Sequence, residues 1–251
     1  MTHEQKNEAL LILGLGVAKT IENYTENALL TNSCFIAADR YASLTTTNGL
    51  STTLNIPIEL RLDNEVDVQF TNEELVSKYT SDVLNIIYRN YLIASISLVD
   101  ATLEDLYEYF IQMIDPNISD LDLEKHIRNS WTNDNLLNFF IDPGKVNLKK
   151  PESMNMGFVE AFIRYYELRI VRHTLLHSSG KLSDKNLSKL QLYLDNTPVE
   201  RQGFALIKVP IFDAEWKINL TINHVLSIRK YLDRFLMYIF KSVGECETLP
   251  A

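Results

Sequence analysis

The sequence predicts a mainly helical protein, and three observations lead to that fold class. Apolar residues recur three or four positions apart through several long segments, which is the spacing of one helix face. Residues that begin and end helices flank these segments. The composition, with 46% apolar and 23% charged residues, is that of an ordinary globular protein with ample material for a core.

The first half of the chain is expected to contain two long helical stretches and one small hairpin. An amphipathic helix is predicted over residues 4–30, and the Thr-, Ser- and Asn-rich stretch from 43 to 55 is typical of a loop. Alternating apolar residues over 56–62 and 65–70 predict a β-hairpin. Thr71-Asn-Glu-Glu74 has the pattern of a capping box, and a periodic helical segment follows to about residue 114.

The second half is expected to be helical with one further hairpin. Gly180 is placed to end the helix predicted over 153–178 in the left-handed conformation. A single domain over residues 1–251 is expected, with an N-terminal helix and hairpin over 1–71 and a helical core over 72–242. The second hairpin is predicted over 204–211 and 216–221, and the helices over 119–129, 133–140, 153–178, 184–194 and 222–242.

The charge and the cysteine content limit the classes of function. A net charge of −9 and a pI near 5.1 argue against a basic protein that wraps duplex DNA, so any contact with nucleic acid should be small and local. Cys34 and Cys246 form no C-x-x-C pair, and neither a signal peptide nor a membrane-spanning apolar run is visible. We therefore expect a cytoplasmic protein without a membrane partner.

The segment from Ile170 to Gly180 holds one arginine and two histidines among aliphatic residues. His173 and His177 are four residues apart and share one helix face. Arg172 is long enough to reach back toward His177, which lies in the last turn, where the helix dipole favours a protonated imidazole.

Two sets of charged residues accompany this segment. Just after the segment, lysines recur every four residues at Lys181, Lys185 and Lys189. They form either a basic ridge that follows the phosphates of RNA or an ordinary solvated face. In the earlier, otherwise apolar helix, acids recur every four residues at Asp100, Glu104 and Glu108. They are either a solvated stripe or acids that pair with another side chain.

The pattern of Arg172, a polar His173, three further residues and His177 at a helix end resembles the R-x(4–6)-H motif of HEPN domains. The polar residues and glycine after His177 are similar to that family as well. Residues 90–107 resemble the earlier core helix, which often carries one acid, so Glu104 is the best candidate and Asp100 the second. Residues 204–242 resemble the C-terminal part of the RiboL-PSP-HEPN groups. The resemblance covers roughly residues 72–242, the HEPN-like core.

The resemblance implies a metal-independent endoribonuclease that acts as a homodimer on RNA without a cofactor. It implies that His177 is the general base or acid, and that Arg172 stabilises the transition state. His173 would position Arg172 or share the proton transfer, and Glu104 would hold Arg172 or a histidine. If the lysines form a basic ridge, as their spacing allows, Lys181, Lys185 and Lys189 would bind RNA. The family also suggests a bacterial toxin or phage-defence effector, with an antitoxin or defence-system partner.

Two alternatives are open. Some HEPN domains resemble the nucleases in fold but serve only for dimerisation or for nucleotide or RNA binding, and the arginine and histidine would then satisfy a helix end at a dimer interface. The spacing of His173 and His177 is also that of a zinc-binding helix pair. Thr174, however, follows His173 where the zinc motif H-E-x-x-H has glutamate, and a third ligand would have to come from a distant residue such as Glu104 or Asp100.

Overall fold

The computed structural model describes residues 1–45, 57–61 and 68–247. These residues are mainly helical, which confirms the predicted fold class at that level, and they form no strand beyond isolated bridges. None of the helices that they form is long and apolar enough to cross a membrane. The α-helices of the described residues are α1 (His3–Ala42), α2 (Asn72–Thr80), α3 (Asp82–Ile114), α4 (Asp120–Arg128), α5 (Asn135–Ile141), α6 (Phe158–His177), α7 (Asp184–Asp195) and α8 (Ile222–Gly244).

Local sequence signals account for most helix ends. Thr71 and Glu74 form the predicted capping box at the start of α2, and Ser183 caps α7 through the backbone N–H of Asn186. Helix α1 continues past residue 30 to Ala42, because no breaker interrupts it before the polar stretch that begins at 43. The periodic segment expected to run unbroken to residue 114 is two helices, α2 and α3, interrupted at Ser81.

Neither predicted hairpin forms two regular strands in the described residues. Ile58–Leu60, within the first hairpin, is a short 3-10 turn, and the rest of that hairpin falls largely outside the described residues. Where the second hairpin was expected, 3-10 turns occupy Val199–Phe204 and Leu206–Lys208. Only isolated antiparallel bridges remain, Phe212 with Ile218 and Lys181 with Lys217. An isolated hairpin is marginally stable, and here the backbone pairs instead with the residues that follow α6.

The chain divides into two compact units. One unit comprises Met1–Tyr24 and Leu92–Ala251, and the other is Thr25–Tyr91. The smaller unit buries Cys34, Leu75 and Tyr88, and Tyr41 stacks on Tyr79 with ring centroids 5.8 Å apart. The larger unit contains all of the candidate site residues.

The larger unit has an aromatic core that fixes α6 in place. Phe162 and Tyr165 of α6 both pack on Phe235 of α8, with ring centroids 5.2 Å and 4.6 Å away. Helix α1 packs closely on α3 in the same unit, since a Cβ on Gly16 would lie 2.3 Å from the Thr102 side chain. A larger residue at that position would separate the two helices. The Tyr165 hydroxyl of α6 also donates to the carbonyl of Ile96 in α3 at 3.1 Å, which joins these two helices beside Asp100.

Candidate functional site

Helix α6 ends in a tight turn that leaves its last residue, His177, at the surface. The backbone carbonyl of Thr174 accepts hydrogen bonds from the N–H groups of Ser178 and Gly180, both at 3.1 Å. Ser179 and Gly180 have positive φ angles of 52° and 85°, so the predicted left-handed helix end at Gly180 is confirmed.

The two histidines form an exposed pair on the last turn of α6. The ring centroids of His173 and His177 are 4.6 Å apart, and the planes are inclined by 45°. Partial burial lowers the pKa of His173 below its ordinary value, and nearby groups that carry or can carry positive charge lower it further: His177, Lys189, Arg172 and Lys185. His173 is therefore mostly neutral at pH 7 and able to accept a proton.

Two of the three predicted RNA-binding lysines lie near the histidine pair. Lys185 and Lys189 are exposed on α7 and close enough to His173 to lower its pKa. Lys181 lies beside Lys217, with which it forms an isolated bridge, and it does not contribute to that shift. The exposed end of α6 is therefore locally basic on a protein of net negative charge.

A buried carboxylate holds the arginine of the motif. Arg172 donates from Nε to the Ser97 hydroxyl at 2.9 Å, and its Nη1 lies 3.4 Å from Oδ2 of Asp100. Oδ1 of Asp100 accepts a hydrogen bond from the Tyr165 hydroxyl at 2.6 Å and lies 2.9 Å from Nε of Arg169. Burial raises the pKa of Asp100, and these partners oppose that rise by stabilising the charged form.

Glu104, which the sequence favoured as the acid that holds Arg172 or a histidine, has a different contact. It accepts a hydrogen bond from Nε1 of Trp131. The indole of Trp131 in turn stacks under the guanidinium of Arg169, 3.7 Å from the ring centroid. The acid that contacts Arg172 is Asp100, one helical turn before Glu104, and Glu104 contacts Trp131, on which Arg169 stacks.

The sequence patterns did not reveal the residues that surround Asp100. Arg169 lies three residues before Arg172 on α6, so helical spacing alone indicates that both share the face toward α3. Ser97 and Tyr165 carry no comparable signal, because a hydroxyl in an apolar helix is common and its partner depends on how α3 and α6 pack. Trp131 comes from the segment between α4 and α5, and no local pattern links it to this site.

Within residues 1–45, 57–61 and 68–247, the exposed histidines have no ready third metal ligand. Among the residues that the structure describes, no group of three or more histidine, cysteine, aspartate or glutamate side chains is arranged to hold a metal ion. Asp100, one of the distant ligands considered for zinc, is instead engaged with Arg169 and Arg172.

Comparison with known proteins found no relative of this chain. No family model matches the chain, and neither a curated protein nor a solved structure matches it.

Proposed function

We propose that this protein is a metal-independent endoribonuclease of the HEPN kind. One observation carries the proposal: the buried carboxylate of Asp100 fixes Arg172 on the same helix end that exposes the close pair His173 and His177. The arrangement supplies a permanent positive charge and two groups that transfer protons near neutral pH. RNA carries its own nucleophile in the 2′-hydroxyl, so these groups suffice for its cleavage.

Arg172 is suited to bind the reacting phosphate. Its contacts to Ser97 and Asp100 use Nε and Nη1, and a guanidinium has more N–H groups than these contacts occupy. The side chain is 31% exposed, so the remaining N–H groups are accessible to a ligand. In the transition state the phosphate gains negative charge, and a guanidinium already held in place stabilises that charge without reorganising.

The histidine pair would perform the two proton transfers. His173 is mostly neutral at pH 7, and a neutral imidazole accepts the proton of the 2′-hydroxyl as its oxygen attacks phosphorus. His177 gives a proton to the 5′-oxygen as the P–O bond breaks. The products are a 2′,3′-cyclic phosphate and a 5′-hydroxyl, and the charges balance once the two histidines exchange protons with water.

Lys185 and Lys189 would hold the flanking phosphates of the RNA. The remaining parts of the proposal rest on the family resemblance alone: a homodimer, a role as a bacterial toxin or phage-defence effector, and an antitoxin or defence-system partner. Expression of an active nuclease should slow the growth of cells, and expression of the His177→Ala variant at an equal level should not.

The test incubates purified protein with total RNA and a defined tRNA in EDTA. We expect cleavage by the wild type, with cyclic-phosphate ends, and a loss of about 10²–10⁴-fold in His177→Ala, the usual contribution of a general acid or base. His126→Ala removes an exposed histidine of α4 and serves as the matched control, which should cleave like the wild type.

Equal cleavage by the wild type and His177→Ala would contradict the proposal and indicate a contaminant or another site. Absence of cleavage, both alone and in extract from infected cells, would assign the protein to the alternative class, a non-catalytic module for dimerisation or for binding nucleotides or RNA.

A further inference from the structure

A shallow apolar groove lies on α7 near the end of α6. Leu187 and Leu192 of α7, Ile207 of the neighbouring 3-10 turn and the indole of Trp216 line it, and Asp195 contributes a carboxylate. Leu192 is 57% exposed and Trp216 is 39% exposed. Two large apolar side chains therefore face solvent side by side, which is a feature of binding surfaces.

The backbone holds Trp216 in this position. Its φ angle is 59°, a left-handed conformation that bulky residues rarely adopt. The Trp216 N–H donates to the carbonyl of Asp213 at 3.1 Å, and its carbonyl accepts from Leu182 N–H at 2.9 Å. The Asp213 carboxylate accepts from the N–H groups of Glu215 and Lys217, both at 2.9 Å. Strained backbone that is held by several bonds often marks a functional position.

Four exposed lysines are neighbours of the groove residues, and none forms an ion pair with any residue that the structure describes: Lys181, Lys185, Lys189 and Lys217. On α7, Lys185 precedes the groove residue Ser188 by about one helical turn, and Lys189 precedes Leu192 in the same way. Lys217 directly follows Trp216. The lysines thus border the groove, where they are free to bind phosphate groups.

The same lysines connect the groove to the histidine pair. Lys185 and Lys189 act on His173 and also adjoin the groove on α7. A nucleic acid strand that reaches the histidines can therefore also reach the groove.

We propose that the groove binds an unpaired base of single-stranded RNA, stacked on Trp216, while the phosphates follow the lysines. Aromatic side chains bordered by positive charge bind single strands in this way, and the bases of a duplex are not accessible to such stacking. Asp195 repels phosphate, so the base rather than the backbone enters the groove. The inference rests on the proposed ribonuclease function, since it names the form of RNA brought to that site.

The experiment measures binding separately from cleavage. A labelled 2′-O-methyl single-stranded oligonucleotide lacks the attacking hydroxyl, and titration with the protein is followed by fluorescence anisotropy. We expect Trp216→Ala to weaken binding about tenfold or more, and Trp216→Phe to retain most of it, because phenylalanine can still stack. Leu121→Ala, at an exposed leucine of α4, should bind like the wild type.

A second variant tests the groove without changing the turn at Trp216, in case Trp216→Ala misfolds that turn. Leu192→Ala lies on the surface of α7, where alanine favours the helix, and it should weaken binding by a smaller factor. Equal binding by the wild type and both variants would overturn the inference, as would equally tight binding of the same oligonucleotide as a duplex, or no binding at all.

The two proposals fail separately. If the wild type cleaves RNA but the variants bind normally, the proposal that the groove binds a base is wrong, and the proposed nuclease function is unaffected. If Trp216→Ala loses binding but the wild type cleaves no RNA, the groove binds single-stranded RNA and the proposed nuclease function is wrong.

Discussion

Helix α6 carries three arginines that pair with buried carboxylates, and the pairs Arg164–Glu167 and Arg172–Asp100 differ in what they leave exposed. Near the middle of the helix, Arg164 donates from Nη1 to both carboxylate oxygens of Glu167 at 2.8 Å, with side chains only 5% and 3% exposed. Near the end, Arg172 is 31% exposed and its partner Asp100 is 9% exposed. We call Arg164 with Glu167 the closed pair, and Arg172 with Asp100 the open pair.

The neighbours of the closed pair explain the difference. Arg164 also donates to the Thr197 hydroxyl, and Glu167 accepts from the backbone N–H of Leu206 at 3.2 Å. These bonds attach the segment after α7 to α6 and leave the pair no room for a ligand. The open pair has its acid buried and its arginine at the surface. The same residue types thus stabilise structure when enclosed and become available for chemistry when one partner reaches solvent.

The largest expected effect is on stability at the closed pair. Arg164→Ala would leave the carboxylate of Glu167 buried without its arginine, and breaking a buried pair in this way costs about 3–5 kcal/mol. We expect urea denaturation to show a fall of that size in the free energy of unfolding. Arg172→Ala should lose only about 1 kcal/mol, because Asp100 keeps Arg169 and Tyr165. Equal losses in the two variants would remove the distinction between the pairs.

The next effect is on RNA cleavage at the open pair. Arg172→Ala should lower the cleavage rate about 10²–10³-fold, the usual result of removing one donor to a developing negative charge. Arg172→Lys should recover little, because an ammonium cannot reproduce the planar fork. Single-turnover cleavage in EDTA measures both variants. Arg234→Ala, at an exposed arginine of α8, is the control and should cleave normally. Full activity of Arg172→Lys would show that only the charge matters.

The sequence predicted the helices better than the contacts between them. Caps such as Thr71 and the ending at Gly180 depend on neighbours within a few residues, so local patterns are enough to find them. The choice between Asp100 and Glu104 is different in kind. Both lie on one face of α3, one turn apart, and only the register of α3 against α6 decides which carboxylate meets Arg172.

Burial also separates the two arginine pairs in a way that the sequence does not show. Arg164 and Glu167 of the closed pair lie three residues apart along α6, and so do Arg169 and Arg172, the two arginines that contact the acid of the open pair. The segment after α7 covers one pair and leaves the other open, and that covering depends on the 3-10 turns where a hairpin was expected.

The last effect is a difference in pH dependence between the middle and the end of α6. Burial raises the pKa of Glu167 from 4.5 to about 7, although Arg164 opposes the rise. The folded state therefore binds more protons than the unfolded state between these values, and the contribution of this group to stability is lost as the pH rises from about 4.5 to about 7. Urea unfolding across that range should show the wild type losing stability relative to Glu167→Gln.

His173 should show the opposite sign. Its pKa is lowered in the folded protein, so its contribution is present above the unfolded pKa of about 6.5 and is lost as the pH falls through the lowered value. The wild type should therefore lose a little stability relative to His173→Ala on acidification, and the change should be small because the ring is mostly exposed. Slopes of the same sign in the two comparisons would contradict at least one of these two pKa shifts.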